Sequence, residues 1–315
     1  MMRGNLFPSV LVFFPILTAF ISYASGRKNK KVRDLIVQTA GITECLLFLA
    51  AAVFFEETQE MFFTWEGFAG LGMHLELDGF RVLYGLIAAF MWMMTALFSG
   101  EYFTHYRNRN RYYFFYLLTL GATVGVFLSS DLYTTFLFFE LMSFTSYVWV
   151  AQDESKESLR AAATYLAVAV IGGLVMLMGL FLLYRTVGTL DMASLYEACA
   201  ACPDKRTIWA AGICLLFGFG AKAGAFPLHI WLPKAHPVAP APASALLSGI
   251  LTKSGIFGIL VVSCNILCHN ANWGVLILTL GVITMIAGAV LALLSVDLKR
   301  TLACSSMSQI GFILV

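Results

Sequence analysis

The chain has 315 residues, 60% of them hydrophobic and 12% charged, with a mean hydropathy of +0.82. Water-soluble domains are about half apolar and a quarter charged, so a soluble globular enzyme is excluded; the 27 phenylalanines and 12 tyrosines exclude disorder. With 20 basic residues against 18 acidic ones and a formal net charge of +2, nothing is left over to neutralise a nucleic-acid backbone.

The remaining class is an all-α polytopic membrane protein. A helix crosses the hydrocarbon with about 20 residues. Apolar windows cut at charges, glycines and prolines predict nine spans, at 6–22, 35–55, 83–98, 112–128, 132–150, 161–184, 207–225, 244–267 and 273–294. A tenth begins near Thr301 and runs to Val315, a partial span. Between the second and third spans, Leu71, Met73, Leu75 and Leu77 alternate with Gly72, His74 and Glu76, which predicts a short extended segment. Arg3 is the only charge ahead of the first apolar run and Pro15 interrupts it, so a cleavable leader is not expected.

Loop charges set the expected orientation. Arg27, Lys28, Lys30, Lys31 and Arg33 crowd the first connection, and Arg107, Arg109 and Arg111 the third. Lys156, Arg160, Lys234, Lys299 and Arg300 continue on that side. The opposite side carries only Arg3, Arg81, Arg185, Lys205 and Arg206, and its second loop is acidic (Glu56, Glu57, Glu60, Glu66, Glu76, Asp78). The excess of lysine and arginine marks the cytoplasmic side and places the amino terminus outside.

Four ionisable residues lie within apolar spans: Glu44, Glu140, Lys222 and Lys253. A charge near the bilayer centre costs roughly 3 kcal/mol on insertion scales, so each needs a partner or a wet cavity. Glu140, Lys222 and Lys253 are expected in one layer near the midplane. They can serve as a switchable proton path, in which pairing favours the charged forms and separation releases a proton. The bland alternative is a static ion pair that only fixes helix packing. Glu44 either joins the path or bonds to a neighbouring helix.

Five of the eight prolines fall at Pro227, Pro233, Pro237, Pro240 and Pro242. They break the seventh span, and broken helices survive at membrane depth only inside protein or beside a wet cavity. His229 and His236 sit in this break; each is either a relay group or a satisfied core histidine, and their spacing matches no zinc motif. Trp231 is expected at an interface. Cys199 and Cys202 form a lone CxxC in a loop, read as small apolar filler or a redox or metal pair. Gly172, Gly173 and Gly179 suit close helix contact, and Asp131, Asp153, Glu154, Glu157 and Asp297 suit solvated helix caps.

Three segments together point to a family. The stretch GFGAKAGAFPLHIWLPKAHPVAPAPASALLSGILTKSG (218–255) resembles the signature of the antiporter-like subunits of respiratory complex I. That signature is shared with multi-subunit sodium/proton antiporters and membrane-bound hydrogenases. FFELMSFTSY (138–147) resembles the family's fifth-helix glutamate motif, and RTLACSSMSQIGFIL (300–314) the start of its tenth helix. The resemblance implies Glu140 as the fifth-helix glutamate, Lys222 as its seventh-helix partner, Lys253 as the onward group and His229 as the histidine after the break. It also implies fourteen helices with two inverted five-helix bundles. Residues 1–111 would then hold the first three helices, 112–270 the first bundle and 271–315 the start of a second. The chain reads as truncated at its carboxyl end or completed by a partner.

The first functional expectation is a proton-translocating, antiporter-like subunit of a redox-driven membrane complex, either an NADH:quinone oxidoreductase or a membrane hydrogenase. It would sit in an energy-coupling membrane of the bacterial cytoplasmic type. No flavin fingerprint, haem pair or iron–sulfur cysteine set is present, so no cofactor or metal is expected on this chain, and no catalytic residue. Expected partners are other membrane subunits, the lipid bilayer and protons or sodium, not nucleic acid. The alternatives are a sodium/proton antiporter subunit, a structural anchor, and an intramembrane enzyme, for which no nucleophile–base spacing exists.

Overall fold

The computed structural model describes residues 2–54, 61–106, 108–268 and 270–315, so Phe55, Glu56, Glu57, Glu60 and Arg107 lie outside the described residues. The chain divides into two units, Met1–Gln152 with Pro240–Leu246, and Asp153–Ala239 with Leu247–Val315.

In the first unit, strand β1 (Met2–Gly4) precedes helices α1 (Phe7–Gly26) and α2 (Lys30–Phe54). Strands β2 (Met61–Trp65) and β3 (Met73–Leu77) complete an antiparallel sheet of order β1-β2-β3. The alternation at 71–77 therefore marks a real strand, whose odd positions Met73, Leu75 and Leu77 are buried. Helices α3 (Gly79–Tyr102), α4 (Arg109–Leu128) and α5 (Leu132–Val150) follow.

The sheet is tied to the start of α5. The Ser130 amide donates to the His74 carbonyl at 3.1 Å, and the His74 amide to Thr134 Oγ1 at 3.0 Å. Thr134 Oγ1 in turn donates to Asp131 Oδ2 at 2.5 Å, while Asp131 Oδ1 accepts the Tyr133 and Thr134 amides at 2.8 Å each. Asp131 is thus an N-cap as expected, but a buried one rather than a solvated one. Burial raises its carboxyl above the ordinary range, opposed by the Thr134 hydrogen bonds and the charge of His74. A raised carboxyl stabilises the fold most at acid pH and loses that contribution as pH rises through its folded value. Asp131→Ala is expected to lower unfolding stability by about 1 kcal/mol, read as a lower melting temperature in detergent, with Asp131→Asn retaining the cap.

A buried aromatic cluster joins α3, α4 and α5. Trp149 lies with its ring centroid 6.1 Å from Trp92, 6.3 Å from Tyr112 and 6.2 Å from Tyr116. Trp92 Nε1 donates to the Tyr116 carbonyl at 3.1 Å and the Tyr116 hydroxyl returns a bond to the Trp92 carbonyl. Arg33 is not the loop charge that the first connection suggests. Helix α2 begins at Lys30, and Arg33 is 2% exposed, bound to Asp34 at 2.6 Å and set over the Tyr113 ring at 5.0 Å.

The second unit begins with α6 (Lys156–Val187), capped by Ser155, and the ten-residue α7 (Met192–Ala201), capped by Asp191. Helix α8 (Lys205–Ala223) follows. The short α7 is absent from the predicted spans, and it corrects the placing of Cys199 in a loop: Cys199 is a buried helical residue and Cys202 the residue that ends the helix. After α8 come a 3-10 turn (Leu228–Trp231) and α9 (Leu232–Val238). Helix α10 (Ala241–Leu246), which belongs to the first unit, runs into a π-helical turn (Leu247–Leu251). Helix α11 (Thr252–Val261), a second π turn (Val262–Ile266), α12 (Ala271–Leu293) and α13 (Leu298–Leu314) complete the chain. The eighth predicted span is therefore an α-helix with two wide turns.

Close backbone approach organises this unit. A Cβ on Gly172 of α6 would meet the Ala221 methyl of α8 at 3.1 Å, as the small-residue pattern in the sixth span anticipates. Outward faces remain apolar: Leu174, Met178 and Phe181 of α6 and Val275, Ile286 and Val290 of α12 are exposed. Eight helical segments among the described residues are long and apolar enough to cross a membrane. The protein is an integral membrane protein built mainly of helices.

Candidate functional site

Helix α8 ends at a glycine followed closely by a proline. Gly224 adopts φ 78°, a left-handed conformation natural to glycine, and Pro227 follows within three residues. The freed groups are re-bonded locally. The Gly220 carbonyl accepts the Gly224 and Ala225 amides at 3.0 Å each, and the Phe226 amide donates to Thr284 Oγ1 at 3.0 Å. Trp231 Nε1 donates to the Ala221 carbonyl at 2.7 Å. Trp231 is thus buried at 1% exposure and holds the helix end, which corrects its expected place at a membrane interface.

Lys222 is the next-to-last residue of α8, in its final turn, and is 4% exposed. Its ammonium donates to the Tyr165 hydroxyl of α6 at 2.7 Å. Tyr165 is itself 1% exposed, and its ring packs against Trp231 with centroids 4.9 Å apart. The tyrosine was invisible to sequence reasoning. A single hydroxyl in an apolar helix, 57 residues from the lysine, carries no spacing signal.

Lys253 lies in the first turn of α11. Its ammonium donates to the Ser248 carbonyl at 2.6 Å, and the Ser248 hydroxyl meets His236 Nε2 at 3.0 Å. Two predicted residues, His236 and Lys253, are thereby brought to one serine that the sequence did not single out. His229 lies in the 3-10 turn, its ring stacked on Phe226 at 5.7 Å, and its buried Nδ1 has no hydrogen-bond partner among the described residues.

The two acidic candidates belong to the other unit. Glu140 lies in the middle of α5, half-buried, with Oε1 shut off from the surface. Glu44 of α2 is fully buried and neither carboxylate oxygen has a hydrogen-bond partner among the described residues. The expected bond from Glu44 to a neighbouring helix is therefore not made among them.

The CxxC pair is two free thiols, Cys199 buried and Cys202 part-buried. Burial, and next the neighbouring Cys202, push the Cys199 thiol up to about 11, so the thiolate is scarce at neutral pH. Among the described residues no group of three or more histidine, cysteine or acidic side chains could hold a metal ion. The arrangement offers proton-binding groups held by hydroxyls and carbonyls.

Comparison with known proteins follows the same lines. The family model described as "NADH:quinone oxidoreductase/Mrp antiporter, TM" matches residues 129–315. Hydrogenase-4 component B of Escherichia coli is 33% identical over 246 residues, which are 76% of this chain and 36% of that protein. A Na(+)/H(+) antiporter subunit of Alkalihalophilus pseudofirmus is 30% identical over 248 residues, 78% of this chain and 50% of that protein. An NADH-quinone oxidoreductase subunit of Rickettsia prowazekii is 24% identical over 318 residues, 98% of this chain and 64% of that protein. The chain thus spans 36% to 64% of the length of these relatives. Two solved structures share the fold. A chain of the archaeal membrane-bound sulfane sulfur reductase superposes with a TM-score of 0.88 at 23% identity, covering 98% of this chain and 64% of that one. A chain of the Mrp complex of a Dietzia species gives 0.86 at 24% identity, covering 98% and 58%.

Proposed function

Because the chain belongs to the NADH:quinone oxidoreductase/Mrp antiporter transmembrane family, we propose that it is an antiporter-like subunit that moves protons within a redox-driven membrane complex. The observation that carries this reading is Lys222, a lysine 4% exposed in the last turn of a membrane helix, where that helix breaks. An ionisable group at such depth is a functional group by default. Lys222, Lys253 and His229 with Glu140 form the proposed proton relay, and His236 and Glu44 are further members. A lysine held by a hydroxyl, as Lys222 is, or by a carbonyl, as Lys253 is, can hold its proton or release it as its partners change.

The proposed organisation assigns residues 1–111 to three leading helices, 112–270 to an antiporter-like bundle with a broken seventh helix, and 271–315 to the start of an inverted second bundle. The amino terminus faces outward, on the lysine- and arginine-poor side, and the membrane is of the bacterial cytoplasmic, energy-coupling type. The partners are further membrane subunits.

The reading is tested in the complete complex reconstituted into vesicles. Glu140→Gln, which keeps shape and removes the exchangeable carboxylate, is expected to cut proton movement at least about tenfold while the complex still assembles. Wild-type proton movement in Glu140→Gln would remove Glu140 from the relay. A second reading, a subunit of a sodium/proton antiporter, is favoured by the 30% identity to the Alkalihalophilus protein. Proton movement that depends on sodium and needs no electron donor selects it.

A further inference from the structure

A lysine five residues beyond a serine does not face it on an α-helix, where five residues turn the chain by about 140° past a full turn. Yet Lys253 Nζ lies 2.6 Å from the Ser248 carbonyl. The π-helical turn Leu247–Leu251 provides the reason. Its bonds run from i to i+5, so residues five apart come to lie over one another. The same carbonyl also accepts the Thr252 hydroxyl at 2.9 Å.

We propose that Ser248 is a positioning residue that seats Lys253 and His236 on one wide helical turn, so that the amine and the imidazole work as a single unit of the relay. Its two polar atoms divide the task. The carbonyl oxygen receives the ammonium, and the hydroxyl 3.0 Å from His236 Nε2 receives the imidazole. A serine hydroxyl both donates and accepts, so it follows the ring through either protonation state. His236 is 4% exposed on α9, with Lys299 bound to the Ala239 carbonyl at the end of that helix at 2.8 Å. The imidazole is therefore held by Ser248 at its ring and by Lys299 at the carboxyl end of its short helix. This inference rests on the relay reading above and names the residue that sets its geometry.

The test uses the complete complex in vesicles, with proton movement and assembly measured for Ser248→Ala, Ser248→Thr and Lys253→Met. Alanine keeps the carbonyl and the helix and deletes only the hydroxyl; threonine returns it. Ser248→Ala is expected to slow proton movement about tenfold in an assembled complex, and Ser248→Thr to recover it to within about twofold. Wild-type rates in Ser248→Ala, or no recovery in an assembled Ser248→Thr complex, would overturn the assignment. Lys253→Met separates the two levels. If it is inactive while Ser248→Ala is unaffected, only the role of Ser248 falls. If Lys253→Met moves protons normally, the relay reading falls and this inference with it.

Discussion

Proton movement by the assembled complex is expected to drop at least about a hundredfold when Lys222 is replaced by methionine, and to drop nearly as far with arginine. Methionine fills the volume of the lysine stem and offers no exchangeable proton. Arginine preserves the positive charge but does not release its proton in proteins. A relay needs release, so both variants fail. A static ion pair needs only the charge, so arginine would restore the wild-type rate and methionine would destabilise the fold. The arginine arm therefore decides between the two readings that the sequence leaves open. Assembly checked by size-exclusion chromatography separates lost transport from lost folding. A smaller loss is expected for Tyr165→Phe, which removes the 2.7 Å partner of the Lys222 amine and leaves the ring against Trp231.

The second large effect concerns Gly255. A Cβ there would collide with the Phe219 carbonyl oxygen and lie 2.6 Å from the Ala223 amide nitrogen. Both atoms are backbone of α8, so no side chain can swing aside; α11 or the end of α8 itself must move. Gly255→Ala is expected to cost about 3 kcal/mol and to lower the melting temperature of the detergent-solubilised complex by roughly 5–10 °C. Gly274→Ala is the control. It lies in the first turn of α12 with nothing within 4 Å of a built Cβ. There the helix propensity of alanine is expected to leave stability unchanged or raise it by up to about 1 kcal/mol. Equal melting temperatures for the two variants would contradict the α8–α11 contact.

The fold was legible wherever apolar length and charge set the boundary. The fifth predicted span, 132–150, agrees with α5 because Asp131 supplies an N-cap ahead of an uninterrupted apolar run. The eighth, 244–267, hid two π turns, since a wide turn has no compositional mark. Helix α7 and strands β1 and β2 went unread. Each is short, and Met2–Gly4 becomes a strand only by pairing with residues near 64. Lys222, Lys253 and Glu140 were conspicuous because charge is scarce in these spans. Tyr165 and Ser248 were not, since a hydroxyl in a membrane helix ordinarily bonds back to its own turn, as Thr252 does to Ser248.

The indole at the end of α8 has one more implication. With Trp231 Nε1 and the Gly224 amide on the Ala221 carbonyl and Thr284 receiving the Phe226 amide, this interruption is stitched by protein groups. Its backbone therefore makes little demand for hydration. Trp231→Phe would remove one of the two bonds that the Ala221 carbonyl accepts, leaving it the Gly224 amide at 3.3 Å. The indole thus acts as a gasket over the broken end of α8, at the turn that carries Lys222.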